Sequence, residues 1–306
     1  MNLKENLAKT IEDHANILNN ISRKEMIEHA VANKEAIIAA SGALATWTPT
    51  ESTGRSPKDT VTVKRASSEK NIDWSSPNNI PIDEETFDMA FQDALDYLKK
   101  AQKVYVTDRV IGADSKYALP VKTVTDFALT ALFTENMFRP VPDDIEKSVF
   151  ASDGYQLLAI PYEKLDPKKY EGRLRKLSDG STSNMIVAMD MDRKLGVIIG
   201  SAYMGSVKKL MFTVMNYLLP LEGILPLHCS ANEGPKGDCA LLLGLSGTGK
   251  TSLSADPSRA LLGDDEHGWG EDGVANFEYG CYAKMIDIDP AKETDIYDAV
   301  MHKDDY

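Results

Sequence analysis

The sequence predicts an α/β protein: an N-terminal α/β domain over residues 1–225, then part of a nucleotide-binding domain built on a phosphate-binding loop (P-loop), residues 226–306. Three observations predict it. Residues 240–243 are a short apolar run leading into Gly244-Leu-Ser-Gly-Thr-Gly-Lys250-Thr251, the order of a strand, a glycine-rich loop and a helix start. Between residues 83 and 137, helical and strand periodicities follow one another, as in layered α/β folds. Apolar runs at 184–189 and 196–199, split by the polar 190–194, predict a hairpin or neighbouring strands.

Taken in order, residues 1–40 read as two helices broken at Asn19-Asn20-Ile21-Ser22, with Ser22 as N-cap and Glu25 at N3 of the second. A strand is expected at 43–47. Residues 51–59 are a loop by composition, carrying Gly54, Arg55 and Lys58. Alternation resumes at 61–64, and 67–79 is a polar surface segment. Asp83 caps a helix that runs to about residue 100. Ile82 and Phe87 stand at its staple positions, and Phe87, Phe91, Leu95 and Leu98 share one face. A strand at 103–107, a helix at 124–137 and a short strand at 155–160 follow; 163–178 is charged and expected to be exposed. Lys208-Lys209 opens a helix to about residue 219, and Pro220, Gly223 and Pro226 then break the chain, which places the domain boundary near 220–227. The apolar 260–262 gives way to Asp264-Asp265-Glu266, the pattern of a metal-holding strand beside a phosphate loop. Residues 274–277 and 281–288 are further strand candidates.

Charge and cysteine usage narrow the class. With 306 residues, 34 basic and 47 acidic groups and a net charge of -13, the chain suits a soluble protein rather than one that binds nucleic acid broadly. Cys229, Cys239 and Cys281 are odd in number and form no CxxC pair, which suits free thiols in a reducing compartment and disfavours a Cys-rich zinc site. The first residues lead into charged helical sequence rather than a signal peptide, and no apolar run has the length of a membrane span. A cytoplasmic protein without membrane partners is expected.

The glycine-rich loop carries the clearest chemistry. Its small residues let backbone N–H groups turn inward around phosphate oxygens. Lys250 adds positive charge, Thr251 offers a hydroxyl to a metal carried by the nucleotide, and the following helix points its N-terminus at the same anion. On residue type alone, Arg55 and Lys209 read as solvated charges and His228 as a buried polar residue.

Seven ordered stretches together resemble the ATP-using branch of the phosphoenolpyruvate carboxykinases. They are Thr53-Gly-Arg-Ser-Pro-Lys-Asp59, Ala202-Tyr-Met-Gly-Ser-Val-Lys-Lys209, Met215-Asn-Tyr-Leu-Leu-Pro220 and Leu227-His-Cys-Ser-Ala-Asn232. Gly244-Leu-Ser-Gly-Thr-Gly-Lys-Thr251, Leu262-Gly-Asp-Asp-Glu-His-Gly-Trp269 and Asn276-Phe-Glu-Tyr-Gly-Cys-Tyr-Ala-Lys284 complete the set. The resemblance implies conversion of oxaloacetate and ATP to phosphoenolpyruvate, ADP and carbon dioxide, with manganese (Mn2+) beside a magnesium (Mg2+) nucleotide. It implies Lys209, His228 and Asp265 as ligands of the transition metal, with Thr251 and Asp264 serving the magnesium. Arg55, Tyr203 and Lys209 are implied as oxaloacetate contacts, and Lys208 as a cation beside the transferring phosphate. Gly244, Ser246, Gly247, Thr248, Gly249, Lys250, Thr251, Ser252 and Lys284 are implied around the nucleotide. The catalytic set would be Arg55, Tyr203, Lys208, Lys209 and Lys250. The family's later arginine, adenine contacts and lid have no assignable counterpart here, so the chain resembles the front part of a longer enzyme and is expected to need the remainder as partner.

Two departures stand out. Ser252 replaces a second threonine, and Tyr279 replaces a glycine where it could crowd a close backbone approach. The alternatives are a nucleotide-binding fragment without catalysis, or another phosphotransferase that shares the loop.

Overall fold

The computed structural model describes residues 2–245, 248–283, 285–286, 288–291 and 293–301, and of Thr251 and Ser252 the backbone alone. The chain opens with α1 (Leu3–Asp13), β1 (Ile17–Asn19), α2 (Arg23–Ala32) and a small hairpin, β2 (Ile37–Ile38) and β3 (Leu44–Ala45). Then come β4 (Thr60–Val63), β5 (Ile80–Ile82), α3 (Glu84–Leu98), β6 (Val104–Ile111), β7 (Leu119–Thr125) and α4 (Ala128–Met137). Next are β8 (Tyr155–Ile160), β9 (Ile186–Asp190), β10 (Leu195–Ile199) and α5 (Gly205–Leu218). The last part holds β11 (Leu225–Glu233), β12 (Cys239–Leu243), α6 (Lys250–Ser254), β13 (Ala260–Gly263), β14 (Glu266–Gly270), β15 (Gly273–Asn276) and α7 (Thr294–Met301).

A mixed eight-stranded sheet runs β1-β6-β7-β8-β10-β9-β4-β5. Its central strands β8, β9 and β10 are almost wholly buried because both faces are covered. Along β8, Leu158 and Ile160 face the core under α1 and α3, while Tyr155, Leu157 and Ala159 face the core under α5. Phe87, Phe91, Leu95 and Leu98 of α3 fill the first core, as their three- and four-residue spacing requires. β9 and β10 form the expected antiparallel hairpin, with Ile186 opposite Ile199. A second sheet of five strands, built around β11, follows α5. Among the described residues, no helix is long and apolar enough to cross a membrane.

The structure redraws three expectations. The helix predicted from residue 124 begins at Ala128, because β7 occupies Leu119–Thr125. The β-branched residues Val121, Thr123, Val124 and Thr125 prefer that strand, which pairs with β6 and β8. The break between the first two helices contains β1, which pairs in parallel with β6. Asn20 closes it with φ 45°, its amide donating to Asp108 Oδ2 at 2.9 Å and its oxygen accepting from the Asp108 N–H at 2.7 Å. Three residues are too few to show a period. Residues 281–288 hold no strand among the described residues.

Helix α2 starts as expected: Ser22 Oγ accepts from Glu25 N–H at 3.2 Å, and the Glu25 carboxylate accepts from Ser22 N–H at 2.9 Å. The side chain of Ser22 satisfies a helix N–H that has no intrahelical partner. Ser22→Ala is therefore expected to lower stability by about 1 kcal/mol, seen as a lower urea midpoint with an unchanged slope.

Candidate active site

Helix α5 buries Val207, Leu210, Met211, Val214, Met215 and Leu218 against the large sheet. That stripe fixes the rotation of the helix and turns the first-turn residues Lys208 and Lys209 toward the second sheet. There, β11 pairs on one side with two successive strands. Its end from Ala231 to Glu233 meets β13, and Leu225–His228 meets β14. Asp264 and Asp265 fall in the gap between these two paired stretches. Freed from the ladder, they re-aim their side chains, as interruptions near active sites commonly do. Ser230 Oγ donates to the Asp264 carbonyl at 2.6 Å and holds the gap in place.

Asp265 is the centre of a dense charge cluster. Its Oδ2 accepts from Lys208 Nζ at 2.8 Å and Lys209 Nζ at 2.7 Å, and its Oδ1 lies 2.6 Å from His228 Nε2. Lys209 also donates to Glu266 Oε1 at 2.5 Å, and Lys208 lies 2.8 Å from Glu278 Oε1. Lys208 is only 4% exposed. Burial opposes the charged form of Asp265, but the hydrogen bond from His228 and the two lysines outweigh it and hold the carboxyl well below the usual range. Burial likewise disfavours charged Lys208, yet Glu278, Glu266 and Asp265 raise its pKa. Burial dominates at Glu266 and Glu278 and pushes both carboxyls up.

The donor chemistry of this cluster suits a cation. Among the described residues, no group of three His, Cys, Asp or Glu side chains is placed to hold a metal. The set that converges is an imidazole, a carboxylate and the amine of Lys209, a nitrogen and oxygen mix acceptable to manganese once the lysine gives up a proton. Phe212 backs the set, its ring 5.0 Å from Lys209 Nζ and 5.8 Å from the His228 ring. Asp264 is the residue before Asp265, and the Cys281 thiol stands near it, pushed up to about 12 by burial first and by Asp264 second.

The other expected site residues lie on neighbouring loops. Tyr203 precedes α5, and its ring centroid is 6.1 Å from that of Tyr282. Gly205 makes room for it: a Cβ there would sit 2.4 Å from Tyr203 Cε1. Gly205→Ala is accordingly expected to displace the ring and to cost about 1–3 kcal/mol through overpacking, checked by urea denaturation and by movement of the Tyr203 ring resonances. Arg55 is exposed and makes no hydrogen bond or ion pair among the described residues. Its loop touches the Tyr203 loop directly, because Ser52 Oγ accepts from Ala202 N–H at 3.2 Å.

The glycine-rich loop begins beside the charge cluster. Cys229 is paired with Leu243, so Gly244 leaves β12 at the level of His228. Gly244 sits tightly under Thr248, whose Oγ1 would be 2.6 Å from an added Cβ, and Gly249 has φ +87°. Lys250 begins α6 and donates from Nζ to the Gly244 carbonyl at 2.7 Å. Ser246, Gly247, Lys284 and the side chains of Thr251 and Ser252, all expected around the nucleotide, lie outside the described residues.

A family model described as phosphoenolpyruvate carboxykinase matches residues 15–304 of this chain. The chain belongs to the phosphoenolpyruvate carboxykinase family. It is 43% identical over 282 residues to the phosphoenolpyruvate carboxykinase (ATP) of Rubrobacter xylanophilus, a match covering 92% of this chain and 51% of that protein. Proteins of the same name from Agrobacterium fabrum and Bacillus subtilis are 45% identical over 281 residues and 42% over 286, covering 92% and 93% of this chain and 49% and 52% of those proteins. The chain thus spans about half the length of the curated relatives it matches.

Two features of this phosphoenolpyruvate carboxykinase family member escaped the sequence. Glu266 and Glu278 are the buried counter-charges of the lysine pair. Glu266 could have been found, since it adjoins Asp264-Asp265, but nothing in the spacing of Glu278 pairs it with Lys208, seventy residues away (278 against 208). Tyr279 does not crowd the backbone. Its ring turns outward, 58% exposed, and faces the Arg139 guanidinium at 5.7 Å.

Proposed function

We propose that this chain forms the oxaloacetate-binding and phosphate-binding side of an ATP-dependent phosphoenolpyruvate carboxykinase, which decarboxylates oxaloacetate and phosphorylates the product to phosphoenolpyruvate. The convergence of Lys208, Lys209 and His228 on Asp265, beside the strand that leads into the glycine-rich loop, carries this reading. In it, residues 226–306 begin the nucleotide-binding domain, residues 1–225 form the substrate side, and the rest of the family's length is the partner that completes the enzyme. The protein works in the cytoplasm on small molecules.

The roles follow from chemistry. Arg55, exposed and without a partner among the described residues, presents a guanidinium fork to a carboxylate of oxaloacetate. Tyr203, fixed by Gly205, borders the same substrate. His228, Asp265 and Lys209 would hold Mn2+, which supplies positive charge where the enolate oxygen of the decarboxylated product develops. Lys208, screened from water, adds a fixed cation on that side. Lys250 would exchange its loop carbonyl for the β- and γ-phosphates of ATP, and Thr251 and Asp264 would serve the nucleotide's Mg2+. Keeping water out of this region favours phosphorylation of the enolate over its protonation.

The test is manganese-dependent binding of oxaloacetate and ATP by this chain, by calorimetry, together with phosphoenolpyruvate formation when the remaining family length is joined to it. Phosphate transfer to some other acceptor, with no reaction of oxaloacetate, would overturn the proposal. Arg55→Ala is expected to weaken oxaloacetate binding about 10- to 100-fold, the worth of charge-assisted hydrogen bonds, and to leave ATP binding unchanged.

A further inference from the structure

We propose that Asp59 and Arg175 are positioning residues for Arg55 and act on it through Ser56; the proposal rests on the carboxykinase reading of Arg55 given above. Asp59 is 3% exposed, and both its carboxylate oxygens are fully engaged. Oδ1 accepts from Arg175 Nε at 2.8 Å and from Ser183 Oγ at 2.7 Å. Oδ2 accepts from Arg175 Nη2 at 2.8 Å and from Ser56 Oγ at 2.5 Å. Arg175 and Ser183 are themselves tied together, the Ser183 N–H donating to the Arg175 carbonyl at 2.9 Å. A two-pronged guanidinium and a buried hydroxyl thus hold the carboxylate in one orientation, and the carboxylate passes that orientation to Ser56.

Ser56 is the immediate neighbour of Arg55, and it is held three ways. Besides the bond from its hydroxyl, its carbonyl accepts from Asp59 N–H at 3.1 Å and from Thr60 Oγ1 at 2.9 Å. On the other side of Arg55, Ser52 is fixed to Ala202. Only Thr53, Gly54 and Arg55 lie between these two anchors, and Gly54 has open space around it. The loop would swing freely without its second anchor. With both, the backbone at Arg55 is held close to the Tyr203 loop, and the entropy of ordering that backbone is not charged to substrate binding. The charge of Arg175 is consumed by Asp59, so its contribution is geometric.

The experiment measures oxaloacetate and ATP affinities by calorimetry in the presence of Mn2+, alongside amide hydrogen exchange over residues 53–58, in this chain. Ser56→Ala removes one link of the brace and leaves the Asp59–Arg175 pair intact, so the fold is kept. It is expected to speed exchange over 53–58 about 10-fold and to weaken oxaloacetate binding about 5- to 20-fold, with ATP affinity unchanged and only a small fall in the unfolding midpoint. Arg175→Lys, which keeps the charge but loses the fork, should act in the same direction, and Ser56→Thr, which keeps the hydroxyl, should restore both readouts. Unchanged oxaloacetate affinity in Ser56→Ala and Arg175→Lys, while Arg55→Ala weakens binding as expected, overturns the brace alone. Oxaloacetate binding that is absent in the unsubstituted chain, or that is as tight in Arg55→Ala as in the parent, overturns the role of Arg55 and this proposal with it.

Discussion

Asp265→Ala is expected to weaken Mn2+ binding by at least about 100-fold, the scale at which losing even a supporting partner of a metal site is felt. The reason is geometric. One carboxylate orients His228 through Oδ1 and both lysines through Oδ2, so its removal scatters every other candidate ligand. The fold should survive, because Lys208 keeps Glu278 and Lys209 keeps Glu266. The electron paramagnetic resonance signal of free Mn2+, titrated with protein, reads the change directly. An Asp265→Ala protein that binds Mn2+ as tightly as the parent would remove the metal site from this cluster.

The largest loss of stability is expected elsewhere, at Asp190. Its side chain is fully buried at the end of β9, and it accepts from Arg65 Nε at 3.0 Å, Arg65 Nη2 at 3.0 Å and Arg193 Nε at 2.7 Å. Arg193 N–H also donates to it at 3.0 Å, closing the β9–β10 turn. Asp190→Ala leaves two part-buried guanidinium groups facing each other across an empty space. Removing one side of such a buried pair costs about 3–5 kcal/mol, partly offset here because Arg65 keeps Glu84 and Arg193 keeps Asp88. Urea denaturation would show it, and a loss under about 1 kcal/mol, within the usual range for an exposed pair, would mean the network is solvated. Replacing Asp190, Arg65 and Arg193 together with apolar residues should recover much of the loss, since the uncompensated charge goes too.

Much of this architecture was legible because it follows short-range rules. The Ser22 cap, the Asp83 cap with its Ile82–Phe87 staple, and the α5 stripe all lie within a few residues of sequence, where spacing alone decides the outcome. The end of β7, Val124 and Thr125, was read as the start of the following helix, since a strand with both faces buried and a packed helix show the same apolar density and only the run of β-branched residues tells them apart; residues 119–123 drew no expectation. β1 was missed because three residues carry no period. At the candidate site, residue type alone did not mark Lys209 or His228; the family resemblance of the ordered motifs implied them with Asp265, and the structure brings the three together. Glu278 was invisible, as its partner Lys208 is near only after two sheets have formed. The brace on Arg55 was hidden for the same reason: Arg175 is separated from Asp59 by 116 residues, and nothing local marks it.

The lysine pair has a mechanical consequence. Lys208 and Lys209 ride on a helix seated against the eight-stranded sheet, whereas Asp265 and Glu266 belong to the five-stranded one. The charges that would meet a ligand are therefore also part of the contact between the two sheets. Anything that draws the ammonium groups off Asp265 loosens that contact, and anything that adds attraction there tightens it, so occupancy would tune how firmly the two sheets are held together.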